Sequence, residues 1–161
     1  MSQAPTPLET THGYSPPTVT QFSVFLTNKV GKLFDLVEAF DGTQCQICAL
    51  SVHEASDHAV VRLITNCAQT ARDILKKESL PYSIREVLVV QISGHHSLGT
   101  MCLCLLAAEL SIQFAYPLML RGDGMPTIAL AVDDLTLAGQ ILRRKEYRLL
   151  GEADLPGGCH R

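Results

Sequence analysis

The chain repeats its own pattern after about 67 residues, and this repeat restricts the folds open to it. Gln46 and Gln113 are 67 residues apart, and Gly31 and Gly99 are 68 apart. Five positions of one helical segment also return with the offset of 67: Ala71, Ile74, Leu75, Lys76 and Lys77 match Ala138, Ile141, Leu142, Arg143 and Arg144. A period of this length is typical of one supersecondary unit used more than once. The sequence therefore predicts two similar units in tandem.

The hydropathy pattern of the first unit predicts the order strand, helix, strand, strand, helix, strand. Apolar and polar residues alternate over 21–26, whereas apolar residues recur at helical spacing over 31–40. Two β-branched runs at 47–54 and 58–65 predict a hairpin, followed by a helix over 67–77 and a long strand over 83–92. This order, with both helices on one face of an antiparallel sheet, is the ferredoxin-like βαββαβ architecture. The predicted fold class is α+β, with two such units whose sheets we expect to join side by side.

Composition sets the predicted boundaries of the two units. Residues 1–18 hold four prolines among serines and threonines, which predicts a flexible segment because little apolar surface is available to offset the entropy of ordering. The first unit is predicted at 19–92 and the second at 93–155, with the strand at 83–92 available to both. Residues 156–161 are predicted to form a second flexible segment.

The residues before the first helix carry a resemblance to a known family. Asn28, Lys29, Val30, Gly31, Lys32 and Leu33 resemble the strand-to-helix loop of ACT domains, the small amino-acid-sensing modules of metabolic enzymes. The resemblance covers nearly all of 20–155 as two units. The chain most resembles small stand-alone bacterial proteins made of two ACT domains. It implies a non-catalytic, amino-acid-binding regulatory protein without a cofactor.

The resemblance also implies where an amino acid binds. A helix N-terminus presents free N–H groups and a positive dipole end to a carboxylate, and Gly31 leaves the backbone accessible because it has no Cβ. ACT domains often combine this loop with the start of the second strand of a neighbouring domain. The implied contacts are Asn28, Val30, Gly31, Lys32, Leu33, Gln46, Ile47, His96, Leu98, Gly99, Thr100, Gln113 and Phe114. The alternative is that Gly31 is only a turn glycine and Asn28 only a capping residue.

The second unit departs from the family pattern in two ways. His96 stands where the first unit has Asn28, so an imidazole replaces the side-chain amide at this position. The following helix, predicted over 100–110, is apolar nearly all round, which indicates that more than one side is covered. We expect it to contact another domain or a second copy of the chain, and we therefore expect a homodimer.

Other classes of chemistry find little support in the sequence. Cys45 and Cys48 would point to opposite faces of a strand, and Cys102 and Cys104 would lie about 200° apart on a helix, so no zinc site is expected. No pair of nucleophile and base suggests a catalytic residue. Thirteen basic and sixteen acidic residues, a net charge of -3, favour neither nucleic acid nor a membrane surface as a partner.

Location is predicted from the first residues and from the cysteines. Residues 1–18 lack Lys, Arg and an apolar block, and no apolar run approaches the roughly 20 residues that span a bilayer. Six cysteines in a chain with an ordinary core are typical of reduced thiols, so we expect a cytoplasmic protein.

Two alternative functions stay open beside the amino-acid sensor. One is a regulatory small subunit of acetohydroxyacid synthase, although the second half of that family is not a plain copy of the first. The other is a small enzyme on a ferredoxin-like scaffold. For a sensor, branched-chain, aromatic and small polar amino acids all stay open as ligands, and a separate metabolic enzyme is the expected regulated partner.

Overall fold

The computed structural model of the chain describes residues 14–27, 30–119 and 123–157. Its elements follow the chain in this order: β1 (Val19–Thr27), α1 (Lys32–Phe40), β2 (Ile47–Glu54), β3 (His58–Thr65), α2 (Ala68–Lys77), β4 (Tyr82–Gln91), α3 (Leu98–Ala107), β5 (Ile112–Pro117), β6 (Thr127–Val132), α4 (Leu135–Arg144), β7 (Arg148–Leu150) and a 3-10 turn (Glu152–Asp154). The predicted α+β fold of two ferredoxin-like units is confirmed. None of these helices is long and apolar enough to cross a membrane.

Strand β4 belongs to both units. Its first part, 82–87, pairs antiparallel with β1, and its second part, 88–91, pairs antiparallel with β6. Residues 89–91 also pair with β7. The strand order is β2-β3-β1-β4-β6-β5, with β7 beside β4. The fourth strand of the first unit is therefore also the first strand of the second unit.

The described residues form three buried clusters, and the middle one joins the two units. On the first unit Phe22 and Leu36 pack between the sheet and helices α1 and α2, and on the second unit Leu88 and Leu105 pack beneath α3 and α4. The middle cluster contains residues from the helix-free faces of both units, namely Val19, Cys48, Ala49, Ile64, Val87, Val89, Tyr116, Leu118, Ala129, Ala131, Leu150 and Leu155. The two helix-free faces therefore pack against each other, with a pair of helices on each outer side.

The two sheets join side by side through the shared strand β4, as expected, and their helix-free faces also pack against each other. The physical reason lies in strands with apolar residues on both faces, since such strands must be covered on both sides. Four consecutive residues of β4, Val87 to Val90, are all fully buried, and they alternate between the middle cluster and the helix side of the second unit. The second face is covered by the other unit.

Parts of the two predicted terminal segments contact the folded units. Pro16 is buried beside Gly139 of α4, where a Cβ would come within 2.5 Å of the proline Cβ. At the other end, the Asn66 side-chain amide donates to the Pro156 carbonyl at 3.0 Å. Residues 1–13 and 158–161 of these predicted segments lie outside the described residues.

Candidate functional site

Helix α1 begins at a glycine with an open approach. Gly31 is the N-cap residue and has φ +89° and ψ -8°, a left-handed conformation that favours glycine. A Cβ at this position would meet nothing within 4 Å. Gly31 supplies no capping side chain, and among the described residues nothing accepts the first-turn N–H groups of α1. The loop can therefore present backbone donors to a ligand.

The neighbours of Gly31 in the predicted site are largely exposed. Val30 is fully exposed and Leu33 is 38% exposed, whereas Lys32 is partly buried. Phe34, one position further, is 65% exposed. Asn28, the predicted side-chain ligand of this loop, lies outside the described residues. The loop is thus surrounded by apolar surface that the described part of the chain leaves uncovered.

Each of the other three helices has a side chain at its N-terminus. A carboxylate oxygen of Glu152 accepts the Ala68 N–H at the start of α2 at 3.0 Å. The Ser97 hydroxyl accepts the Thr100 N–H of α3 at 3.1 Å, and the Asp134 carboxylate accepts the Leu137 N–H of α4 at 2.9 Å. Within the described parts of the chain, α1 therefore differs from the other helices.

The loop before α3 contacts its own unit. Gly99 is the second residue of α3 and not its N-cap, because Ser97 and Thr100 form a reciprocal capping box. The Nε2 atom of His96 donates to the Lys145 carbonyl at 2.9 Å, and the ring stacks on Tyr147 with 3.8 Å between centroids. The hydroxyls of Thr100 and Tyr147 are 2.9 Å apart. These polar groups of the second loop are therefore already engaged.

Leu98, the remaining predicted residue of this loop, lines an apolar cavity of about 270 Å³. The cavity is bounded by Ile92, Leu98, Pro117, Leu118, Pro126, Thr127 and Ile128. Its one hydroxyl, on Thr127, donates to the Met125 carbonyl at 2.9 Å. The cavity can accept an apolar group, but it offers few hydrogen-bond partners to an amino acid.

At the start of β2, Gln46 lies beside the C-terminal segment. Its backbone N–H donates to the side chain of Asn66 at 3.0 Å, and its carbonyl accepts the Asn66 N–H at 3.2 Å. A Cβ on Gly157 would lie 2.9 Å from the Oε1 atom of Gln46. Ile47 packs against the helix-side core of the first unit. This strand start is therefore close to residues from the end of the described chain.

At the corresponding position of β5, the structure brings two unpredicted arginines to Gln113 and Phe114. The guanidinium carbon of Arg62 lies 3.9 Å from the centroid of the Phe114 ring, and that of Arg85 lies 5.3 Å from it. Arg85 also donates to the Oε1 atom of Gln113 and, at 3.3 Å, to the Val132 carbonyl. Sequence reasoning misses both arginines because a lone Arg in an alternating strand usually marks the solvent face.

The predicted residues do not gather in a single place within one chain. Arg85 is the β-sheet partner of Gln21 and Arg62 that of Ser23, so Gln113 and Phe114 lie near the first half of β1. Gly31 follows the other end of that strand. A site at Gly31 therefore needs its second wall from elsewhere.

The buried polar groups near the unit interface are held neutral. The Tyr116 hydroxyl donates to Gln21 Oε1 at 2.5 Å, and burial raises the pKa of Tyr116 well above its usual range despite the opposing effect of Arg62. Burial also raises the pKa of Cys48 to about 11. Cys45, Cys48, Cys102 and Cys104 are free thiols. Cys67 is disulfide-bonded, so the expectation of reduced thiols is wrong for this residue.

Metal-ligating side chains are scattered over the part of the chain that the structure describes. There, no three His, Cys, Asp or Glu side chains lie close enough together to hold a metal ion.

Comparison with known proteins gives a family and a fold. A family model described as an ACT domain pair matches residues 17–156. A solved structure of a Bacteroides thetaiotaomicron protein is similar with a TM-score of 0.77 at 21% identity, covering 86% of this chain and 96% of that one. The ligand-free regulatory subunit of aspartate kinase from Thermus thermophilus has a TM-score of 0.55 at 10% identity, covering 80% and 90%. No curated protein matches the sequence.

Proposed function

The chain belongs to the ACT domain pair family, and from this premise we propose that it is a non-catalytic regulatory protein that binds a free amino acid at the N-terminus of α1. The open loop at Gly31 is the observation that carries this proposal. Its left-handed glycine and its uncapped first turn leave backbone N–H groups accessible to a carboxylate. The amide of Asn28 has the donor and acceptor that an amino acid's two charged groups require.

The occupied N-termini of α2, α3 and α4 support the choice of this loop over the others. A carboxylate or hydroxyl of the chain already bonds each of them. An external carboxylate at these helices would have to displace an intramolecular partner that is held at high effective concentration. At α1 it would displace no partner from the described residues.

We propose that a second copy of the chain covers the exposed apolar surface and that ligand binding is coupled to this association. Val30, Leu33 and Phe34 flank the ligand loop on the outer side of the first unit. Leu103 and Leu106 of α3 are exposed on the outer side of the second unit. A ligand that favours one arrangement of this surface changes the affinity for a partner, which is the basis of an allosteric response. The partner that receives the response is a separate metabolic enzyme.

A thermal-shift screen of the twenty amino acids tests the proposal. A ligand that binds only the folded chain stabilises it by about 2.7 kcal/mol at a concentration one hundred times its Kd. We expect the members of one chemical class, such as branched-chain or aromatic amino acids, to raise Tm in a concentration-dependent way. If no amino acid at about 10 mM raises Tm, the proposed function is wrong, because even a millimolar Kd would be detected.

A further inference from the structure

We infer that Arg62, Arg85 and Gln113 form a binding site for a small carboxylate anion between the two units, separate from the ligand loop at Gly31. Arg62 lies on β3 and Arg85 on β4, both in the first unit. Gln113 lies on β5 of the second unit. The inference goes beyond the proposed function, since it needs neither Gly31 nor a second copy of the chain.

The fold brings the two arginines together from strands on opposite sides of β1. Arg62 is the sheet partner of Ser23, and Arg85 is the partner of Gln21, two residues earlier on the same strand. Both side chains reach the ring of Phe114, with guanidinium carbons 3.9 and 5.3 Å from its centroid. Two positive charges are therefore held on a single aromatic ring, at the boundary between the packed sheets.

Neither charge is neutralised by the described residues. Neither guanidinium forms an ion pair with a carboxylate in this part of the chain. Asp133, which follows the Val132 carbonyl that accepts from Arg85, accepts the Ser111 N–H instead. Glu86, the neighbour of Arg85, accepts from the hydroxyls of Thr18 and Thr20. The nearby carboxylates thus have other partners, and a bound anion would relieve the repulsion between the arginines.

The hydrogen-bond donors that stay open suit a carboxylate. No hydrogen bond among the described residues uses the N–H groups of Arg62, and Arg85 spends only its Nη2 atom on Gln113 and Val132. The side-chain oxygen of Gln113 accepts from Arg85. The Nε2 group of Gln113 donates to no described residue and can therefore donate to a ligand. Planar guanidinium groups bind carboxylates through two parallel hydrogen bonds, and the Phe114 ring positions both groups by cation–π contact.

Sodium succinate is a suitable probe, with sodium chloride at equal ionic strength as the reference and sodium phosphate as a second anion. We expect succinate to raise the Tm of the full chain above the chloride value. Arg62→Gln and Arg85→Gln should each lose more than half of this succinate effect. Arg144→Gln, which removes the same charge from an exposed position in the last turn of α4, should retain it.

Two results would overturn the inference. One is a succinate effect that is equal in wild type and both arginine variants. The other is a rise of Tm in phosphate, relative to chloride, as large as that in succinate, because the site would then attract anions in general and would not be a carboxylate site.

A conservative variant separates binding from a merely structural contact. Arg62→Lys keeps a cation that can lie over Phe114 but loses the planar fork. We expect this variant to have the Tm of the wild type in the absence of ligand. It should need about ten times more succinate than the wild type for the same rise in Tm. A full succinate effect in Arg62→Lys would contradict the inference, since the arginine would then serve only to join the units.

The failure of this inference can be distinguished from failure of the proposed function. Gly31→Val should abolish the response to an amino acid and leave the succinate response unchanged. If the arginine variants keep the succinate effect while an amino acid still stabilises the wild type through Gly31, only the second site is wrong.

Discussion

At the scale of single residues, substitutions at two glycines distinguish the effect of backbone strain from the loss of a ligand contact. Gly31 and Gly42 have φ +89° and +80°, and a Cβ at either position would meet nothing within 4 Å. A branched side chain at either position therefore imposes a similar strain of about 1–3 kcal/mol. Only Gly31 lies at the N-terminus of a helix with free donors. Gly42 is consequently a matched control for any substitution at Gly31.

Thiol reactivity is a second consequence at this scale. Burial raises the pKa of Cys48 to about 11, and the neighbouring Cys45 adds to the shift. Only the thiolate reacts, so about one Cys48 in a thousand is reactive at pH 8. This thiolate fraction increases as the pH rises towards the pKa. Iodoacetamide labelling followed by mass spectrometry should therefore modify Cys48 far more slowly in the native protein than in the same protein unfolded in urea. Equal labelling rates in the native and unfolded protein would contradict the burial of Cys48.

At the scale of elements, the two units are joined by contacts that cross between them. The 3-10 turn after β7 places Glu152 at the N-terminus of α2, where a carboxylate is stabilised by the helix dipole and by the Ala68 N–H. We expect Glu152→Ala to lower the free energy of unfolding by about 1 kcal/mol, the usual effect of removing an N-terminal cap. Urea denaturation of the full chain measures it.

A suitable control for this substitution is Glu54→Ala. Glu54 is exposed at the end of β2, so its removal should change the free energy of unfolding by less than about 0.5 kcal/mol. If both alanine variants are equally stable, Glu152 does not stabilise α2.

The order of the elements could be predicted from the sequence, but some of their ends could not. The periodicities of α1 and α2, the hairpin of β2 and β3 and the long strand β4 follow from residues that are close in sequence. The start of α3 is different: similarity to Gly31 suggests Gly99, whereas the hydroxyls of Ser97 and Thr100 place the N-cap two residues earlier. Local hydrogen bonding thus overrides the repeat.

The candidate site was only partly predictable for a related reason. Gly31 stands out because one residue type and its neighbours are sufficient to indicate an exposed helix start. Arg62 and Arg85 meet Phe114 only after the two helix-free faces have packed together. That contact depends on the relative placement of the units, which the periodicity of each strand leaves open.

At the scale of the whole molecule, the stacked sheets leave α3 on an outer side with exposed apolar residues. Leu103 and Leu106 are 63% and 67% exposed, and with Gly99, Cys102, Leu110 and Ile112 they line an apolar groove of about 420 Å³. Removing such surface from water contributes about 25 cal/mol per Å². A second copy packed on this helix would therefore gain substantial free energy, in support of the proposed homodimer.

Leu103→Glu tests this association. Analytical ultracentrifugation at micromolar concentration should give a dimer for the wild type, in low and in high salt, because screening leaves apolar burial intact. We expect Leu103→Glu to sediment as a monomer or to aggregate. Leu137→Glu, a change of the same kind at a partly exposed position of α4, should leave the dimer intact. A monomeric wild type would contradict the proposed dimer.

Isothermal titration of an amino acid that stabilises the wild type, into wild type, Gly31→Val and Gly42→Val, tests the central claim most directly. Each variant is first shown to fold by circular dichroism. We expect Gly31→Val to lose affinity by at least about a hundredfold, because its side chain fills the path to the α1 N–H groups, and Gly42→Val to bind within about twofold of the wild type. Unchanged affinity in Gly31→Val would contradict the assignment of the amino-acid site to this loop.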